Sequence, residues 1–356
     1  MATSTRRAIS LAAQLAALAA AVAGVLYAPA VVDLFDLMQY TFFAAMCILA
    51  LSLGFIWGFG GILSFGQTAF FGLGAYAYAV AAINFGDSTP ALALAVVVPG
   101  LFAAALGYFV FYGRISDVYL GVITLTVTLI LFNLVNSTAG DEYRIGAAAL
   151  GGFNGMPSVP TLNMPFDPET ILEPEGAWLA TAGALILVYV LLRLILASRF
   201  GRVAVAIREN ETRAALLGYD PRLYKLLVFV IGGGVAGLGG ALYANWGAFV
   251  SPTIFALSLS AEIIIWVTIG GLGTLIGPVV GCLIIEMLVA RIGAQQAVNA
   301  NLVLGVILVG FVLLLPKGLV PAVRDVALRG LKAVARRPRL PVGVEAVPAE
   351  KPSVAE

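Results

Sequence analysis

The sequence contains no histidine, and only 11% of its 356 residues are charged. A soluble domain carries roughly 25% charged residues, so this chain lacks the surface that would keep it in water. The missing histidine removes imidazole acid–base catalysis and imidazole metal ligands. Cysteine is scarce too. Cys47 and Cys282 both lie inside apolar sequence, where a thiol reads as a small packing residue rather than a ligand or half of a disulfide. No Gly-x-x-x-x-Gly-Lys-Ser/Thr phosphate loop occurs, so ATP, if it powers this protein, must bind another chain. No clustered carboxylates or thiol pair stand in the apolar runs. A membrane-embedded enzyme has nothing to work with, and no catalytic residue, metal or cofactor is assigned.

What is present is long charge-free sequence. No charged residue occurs from Ala8 to Val32, Leu37 to Gly86, Ser88 to Gly113, Val118 to Gly140, Gly176 to Leu192, Leu226 to Ala261, Ile263 to Ile285 or Ile292 to Pro316. A spanning helix needs about 20 predominantly apolar residues, and several of these runs hold one span or two. The expected fold is all-α, a polytopic transmembrane helical bundle. Arg6-Arg7 followed by an apolar run resembles a secretory signal. A signal's apolar core is about 7–15 residues, whereas this run continues to Val32, so it reads as a retained first span.

Lys and Arg mark cytoplasmic segments. Arg6 and Arg7, the segment from Ser198 to Lys225, and the tail from Lys317 to Arg339 are basic and read as inside. The segment from Ser137 to Gly176 is acidic, with Arg144 as its one basic residue, and contains Pro157, Pro160, Pro165, Pro168 and Pro174. It reads as an ordered extracytoplasmic loop. Spans are expected at 9–32, 38–58, 64–85, 90–112, 116–137, 177–197 and 225–246. Parity then requires the run 255–290 to cross twice, breaking near Gly270–Gly273, with 298–316 as the last of about ten spans. The domain plan is a transmembrane domain at 1–316, with an outer loop at 138–176 and a cytoplasmic loop at 198–224. A basic tail at 317–356 follows, partly amphipathic and suited to the membrane surface, with a disordered end. Gly232-Gly233-Gly234, Gly237, Gly239 and Gly240 fall in one span at spacings that let helices pack closely in lipid.

The cytoplasmic loop is the most informative segment. Arg202 to Arg208 and Thr212 to Leu217 have helical character, Gly218 is placed to stop the second piece, and Pro221 to start the next helix. A basic loop that only fixed topology would need neither the ordered Ala/Leu face nor the Gly stop. The segment resembles the coupling loop of ABC importer permeases, with the Ala-Ala-x-x-Gly core at Ala214, Ala215 and Gly218. More specifically, the chain resembles the membrane subunits of branched-chain amino-acid ABC importers. The resemblance rests on blocks in the family's order: Gly60–Gln67 with Phe70–Tyr76, Gly151–Gly155, Arg202–Gly218, Ala236–Tyr243, and Ser251-Pro252 followed by Gly270–Pro278.

That resemblance implies one half of a translocation path in the bacterial inner membrane, with both termini cytoplasmic. It implies a second homologous permease, two cytoplasmic ATPases and an extracytoplasmic solute-binding protein, and no nucleic acid. Arg208, Glu209, Arg213, Ala214, Ala215, Gly218 and Tyr219 would then meet the ATPase. Gly151, Gly152, Asn154 and Gly155 would face the binding protein. The solute would be a branched-chain or other small hydrophobic amino acid. Urea or a short amide is the alternative, because a related branch shares the pieces at Gly218–Pro221 and Gly273–Pro278.

Ionisable residues inside spans are costly and tend to mark a pathway. Glu262, with Trp266 one turn on, is one candidate; Glu286, close in sequence to Arg291, reads more readily as structural. Gln67 and Thr68 stand where a Gly-rich stretch could interrupt the third span, a plausible place for a zwitterion. Thr124, Thr126 and Thr128 fall on more than one helical face and are expected to bond back along their own helix. The rival from another class is an ion-coupled secondary transporter, which needs more ionisable groups near the midplane than these glutamates offer.

Overall fold

In the computed structural model, residues 2–140, 142–165, 167–293, 305, 310, 318–323 and 325 are described. The described chain is mainly helical: α1 Ala2–Val31, α2 Leu34–Gly60, α3 Gln67–Phe85, α4 Ser88–Tyr112, α5 Asp117–Asn136, α6 Pro174–Ala197, α7 Arg199–Glu209, α8 Glu211–Leu216, α9 Pro221–Gly247, α10 Leu257–Gly270 and α11 Ile276–Gly293. Caps set several boundaries. The side chains of Asp87, Ser198, Asn210 and Asp220 each accept a backbone N–H at the start of α4, α7, α8 and α9. Pro174 and Pro221 open α6 and α9, where a missing N–H costs nothing.

Six helices among the described residues are long and apolar enough to cross a bilayer: α2, α3, α4, α5 from Tyr119, α6 and α9. The helices α1 to α6 and α9 fall on the seven spans expected up to residue 246. The third differs at its start. It begins at Gln67 rather than residue 64, because the preceding stretch leaves the helix and the Phe65 amide donates to the Thr124 hydroxyl at 3.2 Å. The 255–290 run breaks at the expected glycines, where Gly271 and Gly273 take φ of 112° and 82°. However, α10 has only 14 residues. At 1.5 Å per residue it covers about 21 Å, short of a hydrocarbon core of about 30 Å. A 3-10 turn at Pro252–Phe255 leads into it, with Phe255 buried and stacked on Tyr76 of α3 at 5.9 Å. The last expected span, 298–316, and most of the tail lie outside the described residues.

The bundle is organised around α9, which packs on α2, α3 and α4. A Cβ on Gly74 would fall on the Gly237 backbone, and one on Gly240 on the Phe71 carbonyl. Glycine therefore permits the α3–α9 approach, as the packing reading expected. Cys47 and Cys282 are buried and free, at the α2–α11 contact. Large apolar side chains such as Leu101, Phe109 and Leu194 lie exposed on α4 and α6, which suits a lipid-facing periphery.

The long loop is ordered and adds short strands to the helical expectation. Here β1 Arg144–Ile145 pairs with β2 Ala148–Ala149, β4 Asn163–Met164 with β5 Asp167–Ile171, and β3 Met156–Pro157 with β6 Phe249–Val250 after α9, all antiparallel. Polar side chains at the helix ends hold it down. Asn163 accepts from the Ser88 amide at 2.7 Å and donates to Asp87 at 3.2 Å. Asn245 accepts from the Leu162 amide at 2.6 Å, and the Tyr78 hydroxyl donates to the Pro160 carbonyl at 3.0 Å.

Candidate functional site: the α6–α9 loop surface and a carboxylate cavity

The segment between α6 and α9 folds as the sequence suggested, into two short helices. Asn210 separates them: it ends α7 and accepts from the Arg213 amide at 2.8 Å to start α8. Gly218 follows α8 at φ 90°, with nothing within reach of a Cβ, so conformation alone explains the glycine. Helix α7 presents Ala204 and Ile207 inward. The seven residues expected on one surface divide into two groups. Ala214 is 3% exposed and faces the protein's own core. The Arg208 guanidinium donates to the Gly58 carbonyl at the end of α2 and pairs with Glu209. Glu209, Arg213, Ala215, Gly218 and Tyr219 are exposed. Sequence reasoning missed Leu216 and Leu217, 84% and 74% exposed at the tip of α8. Two adjacent leucines left in solvent form an apolar knob in an otherwise charged loop. Lys225 pairs with Glu211 at 2.6 Å and joins the base of α9 to α8. The knob is thus carried on a braced support: Arg208 ties it to α2 and Lys225 ties it to α9.

A second feature lies between α2, α10 and α11, near the end of α9. There a cavity of about 540 Å³ opens to one side of the bundle. Its wall is aromatic and aliphatic, including Phe42, Phe43 and Met46 of α2 and Trp246 of α9. Phe42 and Trp246 rings lie 4.8 Å apart, and the Trp246 indole donates to the Met38 carbonyl at 2.8 Å, so this wall is fixed. Glu262 and Trp266 line it from α10, and Glu286 from α11. The two carboxylates line the same cavity from neighbouring helices. Glu286 is 9% exposed, and among the described residues it makes no ion pair with Arg291 or any other group. Trp266 is fully buried, and its indole N–H has no hydrogen-bond partner.

Gln67 and Thr68 do not line this cavity. The Gln67 amide donates to the Ser52 hydroxyl at 2.9 Å and the Gly232 carbonyl at 3.2 Å, tying α3 to α2 and α9. Thr68 shares a 2.7 Å hydrogen bond with Ser260 of α10. They act as interhelical ties, because Gln67 is the first residue of α3 rather than a break within a span. The threonines of α5 bond back to carbonyls three or four residues earlier, as expected. Sequence gave one usable signal for Glu286, a lone charge in an apolar run. The hairpin that sets it beside Glu262 was not visible.

In the long loop, Gly151, Gly152 and Gly155 all take positive φ. A Cβ on Gly152 would strike Ala139, and one on Gly155 the Val250 carbonyl. These glycines shape the backbone, while Phe153 and Asn154 are the exposed members of the block.

Comparison with known proteins gives this arrangement a family. The high-affinity branched-chain amino acid transport system permease protein LivM of Escherichia coli K12 is 28% identical over 310 residues, covering 78% of this chain and 68% of that protein. LivM of Salmonella typhimurium LT2 is 28% identical over 307 residues with the same coverage. The inner membrane ABC transporter permease protein YjfF of Escherichia coli K12 is 28% identical over 151 residues, 40% of this chain and 46% of that protein. No solved structure matches significantly. The family model for the permease component of branched-chain amino acid transport systems matches residues 37–315, which spans the helices from α2 through α11. The chain is a multi-pass membrane protein and a transport subunit rather than an enzyme, and it belongs to the branched-chain amino acid transport permease family.

Proposed function

We propose that this chain forms half of the translocation path of an ABC importer for branched-chain or other small hydrophobic amino acids, driven by ATPases on separate chains. The observation that carries the reading is the α7–α8 loop. It presents an exposed Leu216–Leu217 knob beside Tyr219 and Arg213, on a support tied by Arg208 to the end of α2 and by Lys225 to α8. A knob built this way can fill an apolar groove on a soluble subunit and pass that subunit's motion to the helices. Residues away from the knob act differently: Ala214 packs the support and Gly218 turns the chain. On this reading the protein sits in the bacterial inner membrane with both termini cytoplasmic. A second permease completes the path, two ATPases dock inside, and a solute-binding protein docks outside, where Phe153 and Asn154 face outward. The protein needs no cofactor of its own, since ATP is bound by the partners.

Purification of the tagged chain from mild detergent tests this assembly. Two ATPases and a second permease should co-purify. Replacing Leu216 and Leu217 together by serine should release the ATPases and retain the second permease, because burial of the two leucines contributes about 3–6 kcal/mol to docking. Retention of the ATPases by the double variant would sink the knob as the docking element. The assembled complex should accumulate leucine with ATP and ignore urea. The ion-coupled alternative draws on Glu262 and Glu286 beside the short helix α10; uptake by the chain alone under an ion gradient would decide for it.

A further inference from the structure

We infer that the α2–α10–α11 cavity is a binding station for a small solute bearing a primary ammonium group beside an apolar body, held by Glu262 and Glu286. This deepens the permease reading and rests on it for the solute's passage, though not for its binding. Glu286 is nine-tenths buried and lines the cavity, and no ion pair or hydrogen bond to its carboxyl is found among the described residues. A charged carboxylate in such surroundings is costly unless it is protonated or paired, and a cation entering the cavity would pair it. Glu262 contributes a second acceptor to the same space. The described lining contains no lysine or arginine, so the cation comes from outside this wall.

The rest of the lining chooses among cations. Mg²⁺ or Ca²⁺ takes six or more oxygen ligands, whereas this lining offers two carboxylates and the Gln39 amide among apolar side chains. An ammonium group needs few acceptors and is attracted to aromatic faces, and Phe35, Phe42 and Phe43 stand in the wall. An aliphatic body finds the remaining apolar surface. The volume of about 540 Å³ lies within the usual range for small-molecule sites.

The test uses the full-length chain in lipid nanodiscs, with tryptophan fluorescence as the readout, since Trp246 and Trp266 both line the cavity. It is titrated with 3-methylbutylamine and, separately, with 4-methylpentanoate, a similar body carrying a carboxylate instead of an ammonium. The amine should give a saturable change and the acid none. Glu286→Gln and Glu262→Gln should each weaken amine binding at least about tenfold, and Glu286→Asp should restore part of it. Each variant is first required to match the wild-type thermal midpoint. Equal binding of acid and amine, no saturable amine signal, or an unchanged amine titration in both glutamine variants would overturn the inference. The two readings fail separately. A chain that binds the amine but transports nothing when assembled with ATPases would sink the permease reading alone. Uptake by that assembly without amine binding would sink only this one.

Discussion

Asp87 shows how much one side chain can organise in this protein. It caps α4 through the Thr89 amide at 2.8 Å and receives a hydrogen bond from Asn163 of the long loop. Those donors, the Thr89 amide foremost, hold its carboxyl below the ordinary value of 3.8. The sign follows from that lowering. The carboxylate stabilises the folded loop–helix junction above its unfolded value, and the contribution is lost as pH falls through the lower folded value. Asp87→Asn keeps a capping oxygen and removes the titration. The variant should show a thermal midpoint that varies less than wild type as pH is lowered below about 4, while the two differ least in slope near neutrality. An unchanged acid limb would show that Asp87 does not control it. The cap itself was readable as Asp-Ser-Thr-Pro before an apolar run. Its second partner, Asn163, lies 76 residues away and carries no local signal.

At the scale of elements, the α7–α8 pair was legible because its cues are local: two short helical stretches, Gly218 after the second and Pro221 before the next helix. Which of its residues face outward was not. Ala214 and Leu216 are two positions apart, yet one is buried and the other exposed, a choice made by the helix the pair rests on. Arg208 stands among the ATPase contacts that the resemblance implies. It is exposed, and its guanidinium also donates to the Gly58 carbonyl of α2. Arg208→Ala should therefore leave ATPase docking intact and weaken transmission of movement to α2. A hydrogen bond from a charged donor is worth about 1.5–3 kcal/mol, so solute uptake should fall roughly tenfold or more while co-purification of the ATPases persists. Loss of the ATPases together with uptake would place Arg208 on the docking surface instead.

The whole molecule depends on how closely its helices approach α9. The Gly237 backbone lies against Gly74 of α3, and a Cβ on Gly237 would strike the Ala95 carbonyl and Pro99 of α4, so any side chain there must push α4 away. Gly237→Leu should cost at least about 1–3 kcal/mol from overpacking, with the helices unable to relax apart without losing α3 and α4 contacts together. The expected outcome is a lower thermal midpoint and aggregation on size-exclusion chromatography in mild detergent. A monodisperse variant with an unchanged midpoint would show that α9 is not the central packing element. The same closeness explains the ties at Gln67 and Thr68. The Gln67 amide nitrogen and the Thr68 hydroxyl find their partners on the neighbouring helices α2, α9 and α10.

The sequence by itself determined the membrane class, six of the spans, the break at Gly270–Gly273, the two-helix loop between α6 and α9 and the family blocks. All of these arise from properties of contiguous residues: hydropathy, basic charge, caps and turn glycines. Only the tertiary structure decided that Glu286 lines the same cavity as Glu262, that the Gln67 amide bonds to α2 and α9, that α10 is too short to span alone, and that Leu216 and Leu217 stand exposed at the end of α8. The reason is physical. Periodicity says that a residue lies on a face of a helix, but in a bundle apolar on nearly every side, the neighbour that meets each face is chosen by interhelical packing between distant segments.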